Sequence, residues 1–326
     1  MKLTAQQSNK VQILRGLAII AVVFIHNTPD GLAQVYFRPF FNFSVGLFLF
    51  LSGLLSNAST WSPKKRILKV LIPYVLWTIL YTILYNIHQL ESIPILLIQN
   101  LITAKSAGVM YYIFVYCQFT LLIPLIDRLA KSKYKYYGFF ILPVEIVFMR
   151  LLPMLIGFEM PSYISTIMSI SCFGWFTYFY LGYLLGNGIL TIHYSFKSLC
   201  TFFILSIFPQ IAEGYLQYIL GEANCGTQLK LSAALSGILF AMMAYKYILS
   251  TKTLNTNINK VFRFLGDISF GIYFSHKAVM GILSLIPYYS KYVIFPFNAL
   301  AALVATTICV VLGKRILGKY GKYLAL

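Results

Sequence analysis

The sequence predicts an all-α fold, a polytopic membrane bundle of about ten transmembrane helices. Hydrophobic residues make up 59% of the 326-residue chain and charged residues only 10%, against roughly 45–50% and about 25% in soluble domains. Apolar blocks recur along the whole chain, each near the length of about 20 residues that crosses a bilayer. An ordinary soluble enzyme is therefore excluded.

Each helix is predicted from an apolar block bounded by charged residues, Gly, Pro or Asn. In order, the blocks are Val11–His26, Phe40–Leu55, Val70–Ile87, Met110–Ile126, Tyr137–Ile156, Ile164–Leu185, Leu199–Leu220, Leu229–Leu249, Ile268–Ile286 and Phe295–Leu312. A further apolar run, Ile93–Ile102, is too short to span and is predicted to lie at the interface or to be re-entrant. The connections are otherwise short, which indicates one integral domain over residues 1–326 without an appended soluble domain.

The net charge of +18 comes from 26 Lys and Arg against 8 Asp and Glu. These cations cluster between apolar blocks, so the charge indicates membrane topology and argues against nucleic-acid binding. With the N-terminus inside, 20 cations fall in inner segments and four in outer loops, namely Arg38, Lys105, Lys230 and Lys291. We therefore expect a multi-pass protein of the cell membrane with both termini in the cytoplasm. The five separate cysteines and four histidines predict no disulfide framework and no metal site.

Ionisable side chains within a bilayer are costly, so each is a functional candidate. Arg15 and His26 are 11 residues apart, and 11 steps of about 100° come within about 20° of three full turns. The two side chains therefore share a face of the first helix, about 16 Å apart along its axis. Arg is suited to binding phosphate and His to accepting a proton near neutral pH. The alternative is that Arg15 anchors the helix at the membrane surface and His26 is a packed core residue.

The ninth helix carries a second polar stripe. Ser269, Tyr273, His276 and Lys277 stand at helical spacing on one face. If this helix starts at the inner interface, His276 lies about 12 Å deep, which allows the two histidines to meet. The alternative is that Tyr273 and His276 only satisfy each other within the bundle.

Four acidic or basic residues remain near or within the predicted helices. Glu145 and Arg150 are five residues apart, about 140° around an α-helix, so they are not expected to pair with each other. Asp30 and Glu213 stand toward outer helix ends, where a polar substrate would arrive from outside. A structural role for each of the four is the alternative.

Several motifs together resemble acyltransferase family 3, a family of membrane proteins. Leu14-Arg15-Gly16-Leu17-Ala18 with His26 is similar to the family's Arg-x10-His signature. The other matches, in chain order, are Phe48-Leu49-Phe50-Leu51-Ser52-Gly53, Lys64-Lys65-Arg66 with Pro73-Tyr74, Gly182-Tyr183-Leu184-Leu185-Gly186, and Leu265 to His276. Tyr111-Tyr112 depart from the commoner Trp-Phe pair, and Leu54 from the usual Phe.

The resemblance implies an enzyme that moves an acyl group, usually acetyl, from cytoplasmic acyl-CoA to a hydroxyl of an envelope saccharide or lipid-linked glycan. The family's arginine and histidine correspond to Arg15, expected to bind a CoA phosphate, and His26, expected to be the general base. Acyl-CoA would be a co-substrate, with no permanently bound cofactor. The remaining expected site residues are Lys65 and Arg66 for the donor, His276 for catalysis, and Asp30, Glu213 and Tyr273 for the acceptor.

Two other functions fit the sequence. A permease for a small polar solute also needs a helical bundle with intramembrane ionisable residues, although no inverted repeat is visible. A sensory or scaffold domain on the same bundle is the other alternative, because a fold does not determine a function.

Cysteine labelling from each side of the membrane tests the topology. Cysteines introduced at Ser132 and Lys319 should react only from the cytoplasm, and Cys225 and a cysteine at Tyr289 only from outside. Reaction of position 132 with an impermeant reagent in intact cells would contradict the ten-helix topology.

Overall fold

The computed structural model describes residues 3–251 and 256–326, and all regular structure in these two ranges is helical. The α-helices are α1 Ala5–Asn27, α2 Leu32–Phe37, α3 Ser44–Leu54, α4 Pro63–Tyr85, α5 Ile93–Thr103, α6 Tyr111–Lys131, α7 Ile141–Ile146, α8 Leu152–Leu155, α9 Ser162–Ile170, α10 Phe176–Gly186, α11 Phe196–Ile219, α12 Leu231–Leu249, α13 Asn257–Asp267, α14 Ser269–Ser284, α15 Tyr289–Tyr292 and α16 Phe297–Leu317. Across these ranges eight helices are long and apolar enough to span a membrane, or nine with one bent pair. Helix α14, with 16 residues, corresponds to the remaining predicted span. The all-α membrane bundle is confirmed.

The predicted sixth helix is not continuous. Its place is taken by α9 and by a second segment, Phe173–Gly186, which are bent by 44° relative to each other. The Gln118 side chain satisfies backbone groups at the bend, donating to the Ile170 carbonyl at 2.7 Å and accepting from the Cys172 N–H at 2.9 Å. A broken helix is tolerated within a membrane when such partners replace the lost backbone hydrogen bonds.

The expectation that Glu145 and Arg150 do not pair was wrong. Arg150 Nη2 lies 3.3 Å from Glu145 Oε1. The reason is a π-helical turn over Val147–Leu151, between α7 and α8, in which hydrogen bonds join residues five apart. Residues five apart therefore approach each other here, and this ion pair satisfies one oxygen of a carboxylate that is almost fully buried.

Three short helices, α2, α5 and α13, stand beside the predicted spans. Helix α5 coincides with the apolar run that was predicted to be too short to span. Helix α13 was not predicted as a helix, because its charged residues interrupt the apolar pattern that was used to find spans. The second span begins earlier than predicted, at Leu32, because α2 precedes α3 in one apolar stretch.

Helices α1 and α13 approach each other at backbone distance. A Cβ atom at Gly16 would lie 1.9 Å from the Phe262 carbonyl oxygen, and one at Gly266 would lie 1.9 Å from the Gln12 carbonyl oxygen. Only glycine allows this contact, as in other membrane helix pairs that pack through small residues. The Arg15-Gly16 and Leu265-Gly266-Asp267 motifs, far apart in sequence, therefore lie side by side.

Contacts between helix termini define the two ends of the bundle. At what we call the basic end, Lys10 Nζ donates to the Tyr247 carbonyl at 3.1 Å and to Ser250 Oγ at 2.8 Å. At the opposite end, Asn298 Nδ2 donates to the Asn27 carbonyl at 3.0 Å.

Cys225, also at the opposite end, is a poor site for the labelling experiment described above. Its side chain is fully buried, and its Sγ lies 3.3 Å from the Gly31 carbonyl. A thiol in this position is shielded from an external reagent. The prediction that Cys225 reports the outer side by labelling is therefore wrong.

The α1–α13 contact predicts a clear difference between two glycine substitutions. Gly266→Ala should destabilise the protein by about 1–3 kcal/mol, because the added methyl group overlaps the Gln12 backbone. Gly281→Ala on α14 is the control, since its Cβ would meet nothing within 4 Å. The monodisperse fraction left after heating detergent-solubilised protein measures the effect, and equal resistance of both variants would contradict the packing.

Candidate functional site

A cavity of about 300 Å³ runs beside α1 from Arg15 to His26. Helices α1, α3, α4, α6 and α14 supply most of its wall. The lining residues are Arg15, Val22, Ile25, His26, Val45, Phe48, Ser52, Lys69, Val70, Val109, Tyr111, Tyr112, Tyr116, Gln228, Ser269, Phe270 and Tyr273. The spacing argument is therefore confirmed in geometry, because Arg15 and His26 face one cavity.

The Arg15 part of this cavity is polar and cationic. The Arg15 guanidinium donates to Gln12 Oε1 at 3.3 Å and forms no ion pair with any residue that the structure describes. Tyr112 and Tyr116 line the cavity with it, and Asp267 follows Gly266, which packs against the Gly16 backbone. Lys69 lines the same region. A half-buried guanidinium with free donors next to a second cation is suited to an anionic ligand.

Of the two other predicted donor-binding cations, neither lines the cavity. Lys65 is exposed, and Arg66 donates to Ser56 Oγ at 3.1 Å. Both stand one turn before Lys69 on α4, at the basic end. The structure thus places Lys69 in contact with the cavity and leaves Lys65 and Arg66 near its approach.

His26 also lines a second cavity, which lies toward the opposite end of the bundle. This cavity has a volume of about 320 Å³. Its wall comes from the end of α1, from α14 and α15, and from the start of α16, and it includes Asn27, Met280, Tyr289, Phe295 and Asn298. His26 is thus the one residue common to the two cavity linings within the described ranges. Two molecules that enter from opposite ends could both reach its imidazole.

The two predicted catalytic histidines meet. The ring centroids of His26 and His276 are 5.4 Å apart. His276 is fully buried, and its Nδ1 lies 3.0 Å from the Ile272 carbonyl and 2.9 Å from the Tyr273 carbonyl. Because carbonyl oxygens only accept, Nδ1 carries the proton. His276 Nε2 is then an acceptor in the neutral ring, and it has no partner among the described residues.

Tyr273 and Ser269 share the cavity face of α14, as their spacing predicts. Both line the first cavity. The Tyr273 hydroxyl donates to the Val109 carbonyl, and its ring centroid is 5.6 Å from that of Tyr112. Tyr273 therefore joins α14 to the segment before α6 and closes the wall near His26.

A sequence model of acyltransferase family 3, described as an acyltransferase domain, matches residues 9–315. The chain belongs to acyltransferase family 3. No match to it was found among curated proteins or among solved structures. The family match contains Arg15, His26 and His276, so the cavity described above lies within the acyltransferase domain.

The two carboxylates predicted to meet a substrate are both engaged by the acyltransferase itself. Asp30 is exposed at the opposite end, and its Oδ1 accepts from Gln34 Nε2 at 2.7 Å. Glu213 accepts from the backbone N–H groups of Leu231 and Ser232 at 3.2 and 2.8 Å. Because these N–H groups open α12, Glu213 acts as a helix cap. This cap accounts for its burial without a substrate.

Several residues of the acyltransferase cavity were not among the predicted site residues. They are Lys69, Tyr112, Tyr116 and Gln228. Lys69 belongs to a basic cluster that indicated topology, and the two tyrosines belong to an aromatic run typical of any membrane helix. Gln228 could have been selected as a candidate from the sequence, because it is an uncharged polar residue directly before an apolar span.

Proposed function

We propose that this acyltransferase moves an acyl group, most simply acetyl, from acyl-CoA to a hydroxyl of an envelope saccharide or lipid-linked glycan. The observation that carries the proposal is that His26 lines two cavities which extend toward opposite ends of the bundle. The positive-inside rule supports placing the basic end in the cytoplasm of a cell that carries the protein in its plasma membrane, with both termini there. The donor then enters at the basic end and the acceptor at the opposite end.

The donor is held by charge at one end and by shape along its length. Arg15 has no ion-pair partner among the described residues and, with Lys69, faces the basic part of the first cavity. These cations would bind CoA phosphates. The pantetheine arm would extend along α1 between Val22, Val45 and Phe48. The distance of about 16 Å from Arg15 to His26 along the axis is suited to a long thin arm that ends in the thioester.

His26 would act as the general base. It takes the proton from the acceptor hydroxyl while that oxygen attacks the thioester carbonyl carbon. The tetrahedral intermediate then breaks its carbon–sulfur bond, and the proton on His26 passes to the departing thiolate to give free CoA. The products are an O-acyl ester and a thiol, and no other reactant is consumed. Holding both substrates at one imidazole supplies the effect of proximity.

His276 would position His26. It is fully buried, and its ring centroid is 5.4 Å from that of His26. Its Nε2, left as an acceptor by the two carbonyls at Nδ1, can accept from a His26 N–H. Such a hydrogen bond would select the His26 tautomer whose other nitrogen faces the acceptor hydroxyl.

Release of thiol distinguishes this function from that of a permease. Purified protein in detergent should release CoA thiol from acetyl-CoA when a crude envelope glycan fraction is added. A permease would leave acetyl-CoA intact. The two variants below identify which residues carry the activity.

Arg15→Lys should raise the apparent KM for acetyl-CoA more than it lowers expression. The substitution keeps the charge and removes the bidentate fork that suits phosphate. Arg128→Lys is the control, since Arg128 is exposed on α6 and lines neither cavity. An unchanged KM in the Arg15 variant would assign this residue to membrane anchoring alone.

His26→Gln should lower acyl transfer by roughly 10²–10⁴, the effect of losing a general base, while the protein still folds. His276→Gln should lower kcat by less, with KM unchanged and with a shifted pH profile, because it acts through His26. The exposed His88 provides a matched control in His88→Gln.

Initial rates of thiol release over a range of pH values check all three histidine variants. Near-normal turnover in folded His26→Gln would refute the assignment of the base. A loss in His276→Gln as large as that in His26→Gln would instead show that both histidines take part in proton transfer.

A further inference from the structure

Two cations near His26 have no role in the mechanism above. Arg38 opens a short 3₁₀ turn after α2, and Lys277 follows His276 on α14. Both side chains are half-buried. Neither makes a hydrogen bond or an ion pair with the described residues, where the two ion pairs are Lys131 with Asp127 and Arg150 with Glu145. Unpaired cations within a membrane protein are costly and usually mark a functional site.

Both cations lie on the acceptor side of His26. Lys277 is adjacent in sequence to His276, whose ring is 5.4 Å from that of His26. On α14, Lys277 stands between Tyr273, four residues earlier, which lines the first cavity, and Met280, three residues later, which lines the second. Arg38 follows Phe37, whose ring centroid is 4.9 Å from that of Phe295 in the wall of the second cavity. Arg15 is about 16 Å from His26 along the axis of α1. Arg38 and Lys277 are therefore separate from the region that faces the donor phosphates.

The Arg38 stem packs against the loop that precedes α12. A Cβ atom at Gly226 would lie 2.6 Å from Arg38 Cδ. Two residues further on, Gln228 lines the first cavity together with His26. Arg38 Nε and Gln228 Oε1 are both buried without a hydrogen-bond partner among the described residues. The free Arg38 Nε–H can donate to an oxyanion, and Gln228 Oε1, which only accepts, is suited to a hydroxyl of the same ligand.

The nearby carboxylates form no ion pair with Arg38 or Lys277 within the described ranges. Asp30 is the acidic neighbour of Arg38, but it is exposed and accepts a hydrogen bond from Gln34. Glu213 caps α12 through Leu231 and Ser232. The third cation of the region, Lys230, already donates to the carbonyls of Gln210 and Cys225 at 3.0 and 3.2 Å. The side chains of Arg38 and Lys277 thus keep free hydrogen-bond donors in the part of the chain that the structure describes.

We propose that Arg38 and Lys277 form an anion subsite for the acceptor, which therefore carries a carboxylate or phosphate group. The inference rests on the proposed function and adds the acceptor's charge to it. A guanidinium binds such oxyanions through paired hydrogen bonds, and an ammonium adds a point charge. An anionic group held here would fix the acceptor so that one of its hydroxyls meets His26. A sugar acid and a lipid-linked sugar phosphate both supply this chemistry.

Thermal unfolding of the purified protein, with CoA present at saturation to fill the donor region, tests the subsite. Sodium pyrophosphate and sodium glucuronate are the anionic probes, glucose is the neutral probe, and NaCl keeps the ionic strength constant. At least one anion should raise the Tm in a saturable manner, while glucose should not. A stronger effect of pyrophosphate indicates a lipid-linked phosphate, and a stronger effect of glucuronate indicates a sugar acid.

The double variant Arg38→Gln with Lys277→Gln should weaken the apparent affinity for the anion by about tenfold or more. Lys291→Gln, an exposed cation at the same end of the bundle, should leave the affinity unchanged. If the double variant does not fold, Arg38→Lys with Lys277→Gln provides a milder removal of the same donors. Absence of any anion effect in the wild type, or an effect that persists in the variants, would overturn the subsite.

The rise in Tm that CoA alone causes, measured on the same protein preparations, reports on the proposed function separately. If CoA alone does not raise the Tm but the anion does, the donor assignment is refuted and the anion subsite is not. Stabilisation by CoA without an anion effect would refute only the subsite.

Discussion

The backbone contact between α1 and α13 is the constraint on which the proposed site depends. Gly16 and Gly266 bring the two helices so close that each faces a carbonyl oxygen of the other. This contact fixes the rotation of α1 about its axis, and with it the direction in which Arg15 and His26 point. It also sets where α14 starts, since α14 begins two residues after α13 ends. Tyr273 therefore reaches the same cavity as His26, and the His276 ring lies 5.4 Å from that of His26.

Within a bilayer, each polar group of this bundle needs a partner, and most of them find one in the chain. Gln118 forms hydrogen bonds with the backbone at the break between α9 and α10. Glu213 caps the start of α12, and Lys10 donates to a carbonyl at the end of α12. Against this background, the groups without partners stand out. Arg15, Arg38 and Lys277 form no ion pair with the described residues, and Arg15 lines the first cavity together with His26.

Local periodicity predicts the features that depend on one regular α-helix. It fails for features that depend on irregular helical geometry or on contact with a distant segment of the chain. The shared face of Arg15 and His26 follows from their 11-residue spacing, and the cavity confirms it. The pair formed by Glu145 and Arg150 could not be predicted, because it requires a π-turn that α-helical geometry excludes. The bend before α10 depends on Gln118, which is distant in sequence. Likewise, Lys69 and Gln228 become cavity residues only through the packing of helices far apart in the chain.

The most direct test of the two-cavity account is a structure of the protein with a thioether analogue of acetyl-CoA that cannot be cleaved. The account predicts that the CoA phosphates lie against Arg15 and Lys69 and that the ketone carbon replacing the thioester carbonyl lies beside the His26 imidazole. The second cavity should remain open to the acceptor. An analogue whose carbonyl lies away from His26, or whose phosphates lie at the end of the bundle that carries Asn298, would contradict the account.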